Sequence, residues 1–215
     1  LEANHRDFDL PLPGFLHVET PHHYRQGRPG ESEEAFSTRL ASELEERILA
    51  EGPETVAAFI AEPVMGAGGV IVPPAGYFDK IQPILRKYDI LFIADEVICG
   101  FGRTGNAFGS VTYRIQPDIL TCAKALSSGY MPISAVLVND KVHQALAANS
   151  GRLGTFAHGY TYSGHPVAAA VAVETLKVYE RDRLFEHARE LAPVFAAGLQ
   201  ALAARPSVGE TRGVG

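Results

Sequence analysis

Two charged side chains occupy positions where an apolar chain rarely tolerates charge. Asp95 directly follows Ile90-Leu-Phe-Ile-Ala94, the strongest strand-like run of the sequence. A carboxylate entering an apolar layer is costly unless a cation lies beside it, so a positive partner is expected there. Lys124 presents the opposite case, a lone lysine in Ile119-Leu-Thr-Cys-Ala-Lys-Ala-Leu126, just after another apolar run. Desolvation lowers an amine's hold on its proton, the state that Schiff-base chemistry requires. Taken singly, each has an ordinary reading as an ion pair or a snorkelling side chain. Both at strand ends of one sheet point toward chemistry.

The elements that must position this pair are legible in the apolar spacing. Between Glu33 and Ala50, Ala35, Phe36, Leu40, Leu44, Ile48 and Leu49 recur at helical intervals, and Gly52-Pro53 ends the pattern. Val56-Ala-Ala-Phe-Ile-Ala61 is short, continuously apolar and bounded by prolines, the signature of a strand buried on both faces. The unit repeats: an amphipathic stretch over 75–88, a strand at 90–94, a third at Ile119–Cys122 and a fourth at Ile133–Val138. Helices are expected over 140–148, 165–181 and 183–204, and residues 1–31, rich in Pro, Gly and His, read as an extended segment. Alternating strands and helices imply an α/β fold, a mostly parallel sheet with helices on both faces. In such sheets ligands sit outside the carboxyl ends of the strands. Glu62, at the end of the first strand, shares that position with Asp95 and Lys124.

Composition narrows the function classes. The 215 residues, 46% of them hydrophobic, suffice for a core without disulfide or metal staples. A net charge of −6 argues against a nucleic-acid-binding surface, and no apolar run reaches the length of a membrane span. The opening residues lack the order of a signal peptide, so a cytoplasmic protein is expected. Cys99 and Cys122 read as small core residues rather than a disulfide framework. His22-His23 has no cysteine or carboxylate at ligand spacing, and no metal is expected. Because the chain starts at Leu1 and stops at Thr211-Arg-Gly-Val-Gly215, a fragment of a longer protein is expected.

Gly100-Phe-Gly-Arg-Thr-Gly105 fits a dinucleotide-binding pattern taken alone. Its context fails. Asn106–Tyr113 has no helical period, and no acidic residue ends a strand about twenty residues on. The glycines are expected to let a loop turn tightly beside a ligand.

Four blocks in order then carry a resemblance. Ala61-Glu-Pro-Val-Met-Gly-Ala-Gly-Gly69, Ala94-Asp-Glu-Val-Ile-Cys-Gly-Phe-Gly-Arg-Thr-Gly105, Ala123-Lys-Ala-Leu-Ser-Ser-Gly129 and His158-Gly-Tyr-Thr-Tyr-Ser-Gly-His-Pro166 resemble the motifs of class III aminotransferases, above all the pyruvate-using omega-transaminases. The resemblance extends over essentially the whole chain. It implies fold type I, a three-layer αβα architecture, with residues 1–182 in a cofactor-binding large domain and 183–215 opening a small C-terminal domain. It also implies pyridoxal 5′-phosphate, ping-pong transfer of an amino group from an amine or ω-amino acid to a 2-oxo acid such as pyruvate, and a homodimer with shared sites.

Residue by residue, the resemblance makes Lys124 the lysine that holds the cofactor and then shuttles a proton. Asp95 becomes the carboxylate that keeps the ring nitrogen protonated, as the chemistry demands of an electron sink. Val97 matches a residue packing on the ring face, with an ordinary core valine as the competing reading. Thr161, assisted by the Tyr160 amide, matches a phosphate contact reaching the neighbouring subunit's cofactor; a simple cap or turn residue is its plain alternative. Glu62 matches a substrate-recognition switch whose arginine partner lies beyond this sequence. Arg103, His158 and His165 are expected to brace loops and turns.

Members of that family are much longer than this chain. The phosphate-gripping glycine-serine loop and the aromatic on the outer ring face have no counterpart here, so the 215 residues alone are expected to be inactive. An aminomutase or decarboxylase of the same class would share Asp95 and Lys124. A non-catalytic scaffold fragment would not need them.

Overall fold

A computed structural model describes residues 2–215 of the chain, with side chains from His5 onward. Two short helices, α1 (Glu2–Asp7) and α2 (His23–Gln26), interrupt the irregular N-terminal segment. The long helix α3 (Glu33–Glu51) follows. Ser32 caps it, its Oγ accepting from the Ala35 N–H at 3.2 Å, with Glu33 and Glu34 complementing the positive end of the helix dipole. Gly52 ends it at a φ of 87°, a conformation that suits glycine.

Strand β1 (Ala58–Ala61), helix α4 (Tyr77–Lys87) and strand β2 (Leu91–Asp95) form the first strand-helix-strand unit. A four-residue helix α5 (Gly109–Thr112) precedes β3 (Ile119–Cys122) and β4 (Ala135–Val138). The remaining helices are α6 (Asp140–Leu153), α7 (Pro166–Arg181) and α8 (Leu184–Ala203). The sheet order is β1-β2-β3-β4, parallel except for β4, which runs antiparallel to β3. Among the described residues no helix is long and apolar enough to cross a membrane.

Strand parity explains where the core lies, because alternate side chains point to opposite faces. Phe59, Ala61 and Phe92 turn toward α3 and α4, meeting Phe36, Leu40, Leu44, Ile48, Phe78, Ile81 and Leu85 in the main core. Phe36 and Ile81 are wholly buried there, and full burial of such a side chain contributes roughly 1.5–3 kcal/mol. Further along the same face, Leu120, Cys122 and Ala135 pack with Leu126 and with Ala172 of α7.

The other face differs from the expectation that the first strand is buried on both sides and that helices cover both faces of the sheet. It carries Ile60, Ile93, Asp95, Thr121, Val136 and Val138, in register across the strands, and Ile60 and Val136 are 57% and 67% exposed. The apolar runs read as doubly buried strands because their residue types suit burial; in this chain only one side receives its covering helices. The segment 106–113, read as non-helical, contains α5. The reason is tertiary: a buried carboxylate, Glu96, supplies the hydrogen bonds that hold this single turn.

Candidate active site

Glu62, Asp95 and Lys124 emerge at or just beyond the carboxyl ends of the three parallel strands, β1, β2 and β3. Asp95 is the last residue of β2 and pairs in register with Thr121 of β3; Lys124 follows three residues later. With neighbouring strands about 4.8 Å apart and a rise of about 3.3 Å per residue, the two backbones lie on the order of 10 Å apart. That span lets a carboxylate and a reaching lysine address opposite ends of one aromatic ring.

Asp95 is half-buried on the open face of the sheet. Its Oδ1 accepts from the Val97 N–H at 3.1 Å and from the Thr121 hydroxyl at 3.3 Å. The expected cationic partner is not found: among the described residues no lysine, arginine or histidine pairs with Asp95. Two neutral donors orient the group through one oxygen and leave its charge uncompensated by protein. A protonated ring nitrogen is the donor that such a carboxylate fits. Val97 is partly buried in the turn beyond β2, and its backbone amide, rather than its side chain alone, braces Asp95.

Lys124 is exposed, which corrects the expectation of a lysine desolvated among apolar neighbours. The apolar character belongs to the residues around it: Cys122 before it and Leu126 after it point into the core, so the turn is anchored and the lysine projects outward. Lys124 itself has a φ of 41°, in the left-handed region that non-glycine residues seldom adopt. Strain of this kind persists where surroundings over-determine it, and it gathers at functional sites. The turn closes through Leu126 N–H to the Ala123 carbonyl at 2.9 Å and Ser127 N–H to the Lys124 carbonyl at 3.2 Å.

Glu62 lies half-buried, with Oε2 accepting from the Gly66 N–H at 3.0 Å. Tyr160 and Thr161 stand in an exposed, irregular stretch between α6 and α7, and neither hydrogen-bonds to Asp95 or Lys124. A local turn holds them: the Tyr160 N–H donates to Ser163 Oγ at 3.0 Å, and Ser163 N–H returns to the Tyr160 carbonyl at 2.9 Å. Thr161 is not the cap of α7. His165 is, with Nδ1 accepting from the Ala168 N–H at 3.4 Å and Pro166 opening the helix.

Nothing in the sequence separates Glu96, an acidic residue beside Asp95, from a second surface charge. It is wholly buried, accepting from the Gly109 N–H at 2.9 Å, the Ser110 N–H at 2.6 Å and the Ser110 hydroxyl. It thereby ties the loop after β2 to α5. Glu96→Gln keeps the volume but sets an amide N–H₂ against donors, and it is expected to cost roughly 2–4 kcal/mol of stability, read by denaturant unfolding. An unchanged midpoint would contradict this anchoring role.

Beyond Asp95, the glycine loop turns at Gly102 and Gly105, with φ of 98° and 80°, and packs closely against α8. A side chain at Gly102 would meet the Phe185 ring at 2.6 Å, and the Gly105 carbonyl accepts from Arg189 Nη2 at 2.9 Å. Cys99 is buried, its thiol donating to the Val64 carbonyl at 3.3 Å and pushed up to about 11 by burial, with Glu96, Glu62 and Asp95 adding to the effect. Burial also raises the Cys122 thiol. Both are inert core residues. Among the described residues no group of three or more His, Cys, Asp or Glu gathers as a metal site.

The sequence matches the family model described as aminotransferase class-III over residues 2–215. The chain belongs to the class III aminotransferases. Among the relatives of this aminotransferase chain is the gamma aminobutyrate transaminase 3, chloroplastic, of Solanum lycopersicum, 61% identical over 215 residues that make up 100% of this chain and 41% of the relative. The vanillin aminotransferase of Capsicum chinense is 60% identical, again over the whole chain and 47% of its own length. The omega transaminase from Pseudomonas jessenii in complex with PMP superposes with a TM-score of 0.97 at 61% identity, covering 100% of this chain and 48% of that one. The aminotransferase chain thus spans less than half the length of these relatives. Their fold confirms the fold type I α/β architecture, and pyridoxal phosphate is the cofactor of the family.

Proposed function

We propose that this chain is part of a longer class III transaminase that moves an amino group from an amine or ω-amino acid to a 2-oxo acid, with pyruvate as acceptor. The observation that carries this reading is the placement of Asp95 and Lys124 at the ends of adjacent parallel strands, Asp95 on the uncovered face and Lys124 exposed in the turn beyond it.

When bound, pyridoxal phosphate supplies an electron sink that makes the substrate's amine-bearing carbon acidic. Lys124 Nζ holds the cofactor covalently. Its amine, when not holding the cofactor, would serve as the base that moves the substrate proton. Asp95 Oδ2 holds the ring-nitrogen proton in place, while the Val97 amide and Thr121 hydroxyl fix Oδ1. The Val97 side chain would pack against the ring. Glu62, steadied by the Gly66 amide, is placed to exchange partners as substrates with and without a second carboxylate alternate. The first product would leave before the second substrate enters, because the amino group stays behind with the enzyme and both substrates occupy one site.

Thr161 and the Tyr160 amide contact the phosphate held by the neighbouring subunit of a homodimer. Their exposure supports this, since residues serving a partner's site must lie on the surface. Residues 1–182 belong to the large domain and 183–215 open the small one. Arg183, at a left-handed φ of 51°, separates α7 from α8, and α8 buries none of its residues fully. We propose a cytoplasmic location; fractionation with an organelle, as the names of two plant relatives indicate for those proteins, would overturn it.

Product analysis tests the reaction class. The full-length protein, supplied with γ-aminobutyrate, β-alanine or an aromatic amine and pyruvate, is expected to form alanine and the carbonyl product in equal amounts. Carbon dioxide release, or amine migration without an acceptor, would instead identify a decarboxylase or aminomutase; failure to bind the cofactor at all would favour a scaffold. The isolated 215-residue chain is expected to show no turnover, with Ile60 and Val136 bared on its sheet face.

A further inference from the structure

We propose that Tyr179, near the end of α7, is a positioning residue for Lys124, acting through a relay of hydroxyl groups onto the lysine's own turn. The inference rests on the reading of Lys124 as the cofactor-bearing residue.

Because the Lys124 side chain is exposed and makes no hydrogen bond among the described residues, the location of its amine is set by the backbone beneath it. That backbone is unusual. Lys124 at φ 41° and Ser128 at φ 48° both occupy left-handed geometry within five residues, with Gly129 at φ 81° next. From below, the turn is pinned by buried Leu126 and by buried Ser127, whose hydroxyl donates to the Met131 carbonyl at 2.5 Å. From above, the Tyr179 hydroxyl lies 2.6 Å from the Ala125 carbonyl and 2.5 Å from Ser128 Oγ.

Proton bookkeeping fixes the direction of this relay. A carbonyl only accepts, so the single Tyr179 proton goes to Ala125, and Ser128 must therefore donate to Tyr179. The two hydroxyls bridge the carbonyl of Ala125, the residue after Lys124, to Ser128, the second strained residue. Tyr179 is itself held by rings: Phe101, from the loop beyond Asp95, at 6.5 Å between centroids, and Phe185 of α8 at 5.9 Å. The lysine turn is thus tied to the loop that extends from Asp95, so the two ends of the cofactor site share one brace. An amine that must move between holding the cofactor and shuttling a proton depends on this register, since small misplacements are costly in rate.

The test uses the full-length protein loaded with pyridoxal phosphate, comparing Tyr179→Phe, Ser128→Ala, the double variant and Lys124→Ala. Tyr179→Phe retains the ring contacts and removes only the hydroxyl. It is expected to slow single-turnover reaction with a saturating amine about tenfold, with the half-saturating amine concentration unchanged, and to weaken the visible circular dichroism of the bound cofactor at equal cofactor content. The double variant is expected to lose no more than Tyr179→Phe, because both hydroxyls act as one relay. A rate and dichroism within twofold of the parent, or a loss confined to melting temperature, would overturn the positioning role; additive losses would overturn the relay. Lys124→Ala separates this from the underlying reading. If that variant still fixes cofactor covalently on borohydride reduction, the assignment of Lys124 fails, whatever Tyr179→Phe does.

Discussion

Lys124→Ala is expected to lower transamination by the full-length protein at least about 10⁴-fold, the upper range for loss of a general base alone, with covalent attachment lost besides. The effect should fall on kcat far more than on cofactor affinity, because phosphate and ring contacts remain. An added primary amine such as methylamine is expected to restore part of the rate, since it replaces the missing base without the tether. Cofactor should still copurify or rebind, but it should dialyse away. Stability is expected to be nearly unaffected, because Lys124 is exposed and alanine carries the same strain at a φ of 41°. A Lys124→Ala protein turning over within a hundredfold of the parent would remove the residue from the chemistry.

Asp95→Asn is expected to have the next largest effect. Asparagine matches aspartate in shape, and its amide oxygen can still accept from Val97 N–H and the Thr121 hydroxyl, so the local fold should survive. What is lost is the charge. At about 4 Å and an effective dielectric near 20, the attraction between a carboxylate and a protonated ring nitrogen is on the order of 4 kcal/mol. This corresponds to roughly three units in the ring nitrogen's proton affinity, and to a rate loss of about 10³-fold if the electron sink depends fully on that proton. Asp95→Glu keeps the charge but pushes it toward the ring, and an intermediate loss is expected. Steady-state rates with a saturating donor measure both. A loss below tenfold in Asp95→Asn would mean that the carboxylate does not hold the ring proton.

Much of this site was legible from residue type and order. Asp95 stands out because a carboxylate ending an apolar strand is costly without a cation beside it, and Lys124 because it is a lone lysine after an apolar run. The helices α3, α7 and α8 followed from periodicity and from their stops at Gly52 and around Arg183. Other features depended on contacts that no local pattern encodes. Glu96 looks like Asp95's neighbour on the surface until α5 folds over it with three donors. Tyr179 lies 54 residues from the carbonyl it holds. The exposure of Lys124 was invisible because composition reports how apolar the neighbours are, and not which way the strained turn directs the side chain. The open sheet face was equally hidden, since the residues of β1 and β4 are the same types that a covered strand would use.

Reduction of the cofactor-loaded full-length protein with borohydride, followed by digestion and mass analysis of the peptides, tests the central claim most directly. The expected result is a single stable pyridoxyl modification on the lysine of Ala123-Lys-Ala-Leu126, absent when an amine substrate is added before the reductant. Modification of another lysine, with Lys124 recovered unmodified, would contradict the account.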